Sequence, residues 1–206
     1  EEHGVNVTGL TISPAQHRYA LTVTQDPRVT MMLHDWMRND FASQSYDRVV
    51  SLECVSHIED KEGFFREVSR VLKPGGRGVV IAWLTSESPS KHEVRHYLEP
   101  ICREGRLPGM ASRTEYEEWI RSAGLRQIGF EDLTMQVRKT WSICARRVGW
   151  RLISRPSYWW FLISGASRHT IFLVTLMRIM RSYHNGAMRY GMFVIEGSDP
   201  ESSSSS

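Results

Sequence analysis

Between Ser45 and Trp83 a strand, a helix and a second strand follow one another with almost no linker, in "SYDRVVSLECVSHIEDKEGFFREVSRVLKPGGRGVVIAW". The first part carries the apolar run Val49, Val50 and Leu52, rich in β-branched residues. In "DKEGFFREVSRVL" the residues Phe64, Phe65, Val68, Val71 and Leu72 recur at spacings of three and four, which puts them on one helical face. "KPGG" ends that helix with a proline and two glycines, and "RGVVIAWL" reads as a strand. Two strands joined by a helix pair in parallel through a right-handed crossover. A meander or Greek-key sandwich cannot be written this way, so the unit constrains the whole fold to the α/β class.

The same alternation precedes it. "VNVTGLTI" is a strand, and "SPAQHRYA" opens a helix with Ser13 fitted to the N-cap and Pro14 to the first helical position. "RVTMMLHD" is the next strand, ending at Asp35. Parallel strands are expected near Val5–Thr11, Val29–Leu33, Arg48–Leu52 and Gly78–Leu84. After Leu84 the pattern changes to a polar, broken stretch with a short helix from Lys91 to Arg103. A second helix is capped by Ser112 or Thr114 and ended by Gly124. A strand near Gln127–Leu133 follows, then a helical region from Gln136 to Tyr183 broken near "SRPSYWW". The last strand, near Tyr190–Glu196, is expected to run antiparallel. No internal repeat is visible. The run "WWFLISGASRHTIFLVTLM" is interrupted by Gly165, Arg168 and His169, so it reads as a buried or interfacial helix pair rather than a membrane span.

Composition narrows the chemistry. Of 206 residues, three are cysteines, Cys54, Cys102 and Cys144, with no CxxC pair, so neither a disulfide framework nor a zinc site is indicated and no metal is expected. The net charge of +3 hides an asymmetry: from Thr134 to Ile195 there are ten Lys or Arg and no Asp or Glu. Trp141, Trp150, Trp159 and Trp160 lie in that basic stretch. The mixture suits an anionic ligand, a partner or a membrane surface, or is a solvated basic face. No targeting segment is visible, but because the start looks cut that absence assigns no compartment, and the cytoplasm stands only as a default. The tail "GSDPESSSSS", residues 197–206, has the composition of a disordered segment.

The order of these elements, with "RVLKPGG" before a hydrophobic strand, resembles the post-cofactor half of class I S-adenosylmethionine-dependent methyltransferases, and specifically their type 11 domain. "VTGLTISPAQHRYA" and "YHNGAMRYGMFV" are similar to the branch containing tocopherol methyltransferases and cyclopropane-fatty-acid synthases, with the tail half closer to the former. The resemblance covers most of Gly4 to Ile195. It implies a Rossmann-like, doubly wound, mostly parallel sheet over residues 1–196, with helical lids at 85–112 and 134–185. It implies S-adenosyl-L-methionine as cofactor and a small-molecule acceptor as partner, not nucleic acid. The family's first strand and its acidic-Gly-x-Gly-x-Gly loop would precede Glu1. The implied domain is therefore N-terminally truncated by ~60–100 residues. A loop-less pseudoenzyme is the alternative.

The resemblance also implies roles. Most class I members end this strand with an acidic residue that holds the ribose hydroxyls; here Thr11 stands in that place, with Ser13 and Gln16 behind it. Ser13 is equally a plain N-cap and Thr11 a plain strand residue. Asp35 would accept from the adenine amino group, with Trp36 near the ring, or else Asp35 caps its own loop. Ser51, Leu52 and Glu53 would lie along the methionine moiety. Glu53 would hold a cation, a water or a substrate hydroxyl, or else stabilise the loop. His57 matches a general base of related O-methyltransferases, or is a structural histidine lining the pocket. Some sugar O-methyltransferases of the branch carry an acidic residue where Trp83 stands here, which favours a flatter, more apolar acceptor. The expected activity is methyl transfer to a small, rather lipophilic acceptor at O, N or C. A non-catalytic module that binds a partner or an anionic membrane through its basic Trp-rich half is the runner-up, and a nucleotide-dependent dehydrogenase comes third.

Overall fold

The computed structural model describes residues 4–154 and 167–198. In chain order these form β1 (Val7–Thr11), α1 (Pro14–Val23), β2 (Val29–Leu33), β3 (Tyr46–Leu52), α2 (Lys61–Val71) and β4 (Leu72–Thr85). Then come α3 (Lys91–Glu93), α4 (Glu99–Gly105), α5 (Arg113–Ser122), β5 (Leu125–Asp132), α6 (Thr134–Ser154), α7 (Ser167–Asn185) and β6 (Met188–Gly197). The α/β alternation is as the periodicity predicts.

The sheet differs from a single, mostly parallel one. Among the described strands, β1 and β2 form a parallel pair, and a separate four-stranded sheet has the order β3-β4-β6-β5. In it β3 is parallel to β4, while β6 runs antiparallel to both β4 and β5. The topology explains the reversal of β6. Among the described residues two helices, α6 and α7, lie between β5 and β6, and the chain returns to the end where β5 stopped. Asp132, the last residue of β5, accordingly pairs with Gly191, near the start of β6. β1 and β3 each keep one edge without a strand partner among the described residues.

"KPGG" ends α2, as expected, but does not stay outside the sheet. β4 begins at Leu72, and its register against β3 slips between the pairs Tyr46↔Leu72 and Arg48↔Arg77. The bulge absorbs the extra residues. Gly75 sits there at φ +68°, and a Cβ on Gly76 would lie 2.8 Å from the Lys73 carbonyl oxygen and 3.2 Å from that of Asp47.

The side chains of β4 alternate between two cores, as the pleat demands. On one face Val80, Ala82 and Leu84 meet Phe64, Phe65 and Val68 of α2 and Tyr116 and Ile120 of α5. Tyr116 stacks on Phe193 of β6 at 5.3 Å between ring centroids. On the other face Ile81 and Trp83 lie beside Ile179, Tyr183, Met188 and Tyr190. Capping boxes start both of the helices expected between β4 and β5: Ser90 with Glu93, and Ser112, rather than Thr114, with Glu115. The helix expected from Lys91 to Arg103 is present with one irregularity, a π turn over Val94–Leu98 between α3 and α4.

No helix among the described residues is long and apolar enough to cross a membrane. The break near "SRPSYWW" and most of the Ser-rich tail lie outside the described residues.

Candidate active site

The carboxyl ends of β1, β2 and β3 carry the residues singled out from sequence. At β1, the Thr11 hydroxyl donates to Gln16 Oε1 at 2.8 Å and accepts from the Ser13 amide at 3.1 Å. Ser13 is the N-cap of α1, accepting from the Gln16 amide at 3.4 Å. The three expected ribose-side residues therefore form one knot of hydroxyl and amide groups.

β1 is tied to β2 beyond the ladder, because the His34 amide donates to the Thr11 carbonyl at 3.1 Å. Asp35 follows and starts a short 3-10 turn, Trp36–Arg38, its Oδ1 accepting from the Met37 amide at 3.0 Å. The loop-capping role of Asp35 is thus present; its second carboxylate oxygen has no bond to the described protein. Trp36 turns toward the core and packs on Phe64 at 5.8 Å. Its Nε1 is buried without a protein partner. Behind the turn, Asn39 donates to Glu67 at 2.8 Å, and Arg70 donates to both Asn39 and Glu67 at 2.7 Å. The Arg70 guanidinium holds the Glu67 carboxyl below the usual carboxylate range. This network pins the loop after β2 onto α2.

At β3, Ser51 is only 6% exposed and its hydroxyl has no protein partner, whereas Leu52 is 62% exposed. The pleat sends them to opposite faces. Glu53 leaves the strand in the left-handed region at φ 58°, with its amide bonded to the Ile81 carbonyl of β4 at 2.9 Å. That geometry throws its carboxylate across β4, where the Tyr190 hydroxyl donates to Oε1 at 2.6 Å. Burial, and then the Glu53 carboxylate, push the Tyr190 phenol up, so it remains a neutral donor at ordinary pH. His57 closes the 3-10 turn Cys54–His57 and is exposed. The turn is held to β4 by Ser56, whose hydroxyl accepts from the Trp83 amide at 3.4 Å. Burial and then the Asp35 carboxylate push the Cys54 thiol up, so the ends of β2 and β3 lie within electrostatic reach of each other.

The expected residues thus stand at the carboxyl ends of three strands: Thr11 at β1, Asp35 just after β2, and Ser51 and Glu53 at β3. His57 stands on the turn beyond it, without a hydrogen bond to the described protein. Sequence reasoning gave no site role to Tyr190 or Tyr183 and placed Trp141 only in the basic, Trp-rich stretch. Tyr183 is 3% exposed, and burial first, then Glu53 and Tyr190, push its phenol up. Trp141 meets Trp83 edge-on at 6.1 Å. The alternation in "MRYGMFVIE" places Tyr190 on the face of Trp83, and that was the available signal. Among the described residues no group of three or more His, Cys, Asp or Glu could hold a metal.

A family model described as a methyltransferase domain matches residues 1–80. The 2-methyl-6-phytyl-1,4-hydroquinone methyltransferase of Synechocystis sp. is 30% identical over 201 residues, covering 94% of this chain and 62% of that protein. The chloroplastic tocopherol O-methyltransferase of Arabidopsis thaliana is 26% identical over 204 residues, 94% of this chain and 57% of that protein. By the match of its first 80 residues and its likeness to these relatives over nearly its whole length, the chain resembles the S-adenosylmethionine-dependent methyltransferases. It spans less than two thirds of the length of either relative. The fold agrees with geranyl diphosphate C-methyltransferase from Streptomyces coelicolor A3(2), at TM-score 0.72 and 22% identity over 95% of this chain and 63% of that one. It agrees also with Haemonchus contortus phosphoethanolamine N-methyltransferase 2, at TM-score 0.77 and 19% identity over 96% of this chain and 44% of that one. S-adenosyl-L-methionine is the cofactor of class I methyltransferases, and the residues here fit it. The buried, unpartnered Ser51 hydroxyl, the free oxygen of Asp35 and the Thr11–Gln16 knot offer acceptors and donors for amine and hydroxyl groups at these strand ends.

Proposed function

We propose that this chain forms the greater part of a methyltransferase domain acting on a small, lipophilic acceptor with an aromatic hydroxyl or an activated ring carbon. The observation that carries the reading is the placement of Thr11, Asp35, Ser51 and Glu53 at the carboxyl ends of parallel strands, the place where open α/β sheets bind ligands. Similarity to a phytyl-hydroquinone methyltransferase over nearly the whole chain supports the acceptor class.

The cofactor, when bound, supplies an electrophilic methyl group, so the protein's task is positioning and proton handling. Thr11, Ser13 and Gln16 would hold the ribose hydroxyls, and Asp35 the adenine amine. Ser51 and Leu52 would line the methionine end. Glu53, fixed by Tyr190, orients the acceptor oxygen, and the exposed His57 imidazole takes its proton as general base. Trp83 and Trp141 supply a flat apolar wall for the ring. The test is incubation of the full-length protein with methyl-labelled S-adenosylmethionine and a panel of phenols, amines and isoprenoid quinols. Label in a quinol or phenol supports the reading, and no label in any acceptor overturns it.

One observation favours a second reading, peripheral membrane binding. α6 exposes Trp150 at 70% and Ile153 at 76%, beside the exposed Arg146, Arg147 and Arg151. Replacing the three arginines with Gln should weaken capture by anionic vesicles, with an effect that fades in high salt. Vesicle binding without methyl transfer to any acceptor would favour the module over the enzyme.

A further inference from the structure

α6 and α7 pack together over the sheet face that carries Trp83 and Tyr190, and a cleft of about 440 Å³ opens between them. This lies within the roughly 300–1,000 Å³ usual for small-molecule sites. Tyr183 is its buried floor, and the half-buried Tyr97, Trp141 and Met180 are its walls. Two polar atoms are stranded there: Tyr183 Oη and Trp141 Nε1 are both buried and neither completes a hydrogen bond to the protein. They lie near enough for the indole N–H to moderate the rise of the Tyr183 phenol, but not in bonding geometry. Even a full bond between them would leave the phenol proton without an acceptor. A stranded donor in an apolar cleft is costly unless a ligand or water satisfies it.

The rim has the opposite character. Arg138, Arg181 and His184 border the opening. The Arg138 guanidinium lies 2.6 Å from His184 Nδ1. Arginine can only donate, so that ring nitrogen accepts. Neither Arg138 nor Arg181 makes an ion pair among the described residues. By contrast Arg178, one turn before Arg181, is paired with Glu104. No Asp or Glu occurs anywhere from Thr134 to Ile195, so neither helix carries a carboxylate of its own to neutralise this rim.

We infer that the cleft binds an anionic amphiphile. Its apolar body lies against Trp141, Tyr97 and Met180, with an oxygen on the Tyr183 and Trp141 donors, and its carboxylate or phosphate is held by Arg138 and Arg181. Guanidinium forks match such oxyanions in a way that a point charge does not. The inference deepens the methyltransferase reading, and rests on it, only in making this ligand the acceptor class; binding itself is independent of methyl transfer.

The experiment titrates full-length protein with dodecyl phosphate below its micelle concentration, with dodecanol and with inorganic phosphate, followed by calorimetry and tryptophan fluorescence. Dodecyl phosphate should bind at least 10-fold more tightly than either of the others. Arg138→Gln and Arg181→Gln should each weaken it several-fold while leaving dodecanol unaffected. Trp141→Phe should remove most of the fluorescence response; should that variant fail to fold, the arginine variants followed by calorimetry still decide. Equal binding of dodecanol, or unchanged affinity in both arginine variants, overturns the inference. A parallel arm uses vesicles of phosphatidylglycerol. If the two arginine variants lose vesicle capture but keep monomeric dodecyl phosphate, the rim meets a lipid surface and the cleft assignment fails. If dodecyl phosphate binds as stated but no acceptor is ever methylated, the methyltransferase reading fails and the cleft stands.

Discussion

The Tyr190 hydroxyl reaches over β4 to donate to Glu53 at 2.6 Å, joining residues 137 positions apart. Tyr190→Phe removes that donor and leaves the Glu53 carboxylate to solvent. The loss should cost about 1 kcal/mol, since Glu53 remains hydrated, and lower Tm by roughly 2–4 °C. In the full-length protein turnover should fall about 10-fold, as a positioning residue's loss does, with cofactor affinity unchanged. Steady-state kinetics with separate titration of S-adenosylhomocysteine checks this; unaltered turnover would remove the pair from acceptor positioning.

Two substitutions separate the turn cap that Asp35 makes from the adenine contact proposed for it. Asp35→Ala loses both the turn cap and the ligand-facing charge. Asp35→Asn keeps an oxygen for the Met37 amide. Both variants should bind S-adenosylhomocysteine roughly 10-fold or more weakly, the worth of one hydrogen bond to a charged group at about 1.5–3 kcal/mol. Only Asp35→Ala should also lower Tm. Calorimetry on both variants gives the answer, and wild-type affinity in Asp35→Asn would assign Asp35 to the loop alone.

His57 is exposed and makes no bond that stability would miss. For a hydroxyl acceptor, His57→Ala should leave Tm unchanged and depress turnover ~10²–10⁴-fold. A carbon acceptor should show only a small loss, so turnover of both proteins on hydroxyl and carbon acceptors distinguishes the two chemistries.

Burial pushes the phenols of Tyr116, Tyr183 and Tyr190 up. Unfolded tyrosine releases its proton near pH ~10. Above that value the native state therefore binds more protons than the unfolded state, and stability declines as pH rises further. Below it these phenols contribute no pH dependence. Absorbance near 295 nm should show some of the seven tyrosines ionising reversibly and the rest only as the chain unfolds. Reversible ionisation of all of them in the folded protein would contradict the burial.

Periodicity reaches the elements that local sequence controls. The Phe64, Phe65 and Val68 face, the Ser13–Pro14 start of α1 and the Ser112 cap are each settled within a few residues, and each is found. The start of β4 at Leu72 was less accessible, because "KPGG" carries every mark of a turn and only pairing with β3 turns it into a bulge. The π turn before α4 has a local cause that a helical pattern conceals: Pro100 has no amide to give the preceding turn, and the wider turn accommodates it. Within the site, the residues at the strand ends were legible because strand ends are. The partnership of Glu53 with Tyr190 was not, since it depends on which strand inserts beside β4, and the two-helix return through α6 and α7 decides that.

The left-handed backbone at Glu53 subjects one position to two separate filters. Side chains that tolerate φ near 58°, Gly, Asn and Asp above all, would keep the corner, while β-branched residues would not. The acceptor-positioning role proposed for Glu53 asks instead for length and a carboxylate. A saturation library at position 53, sorted first for soluble expression and then for turnover, should therefore yield two different sets of survivors, with Val and Ile lost at the first sort and Gly and Asn only at the second.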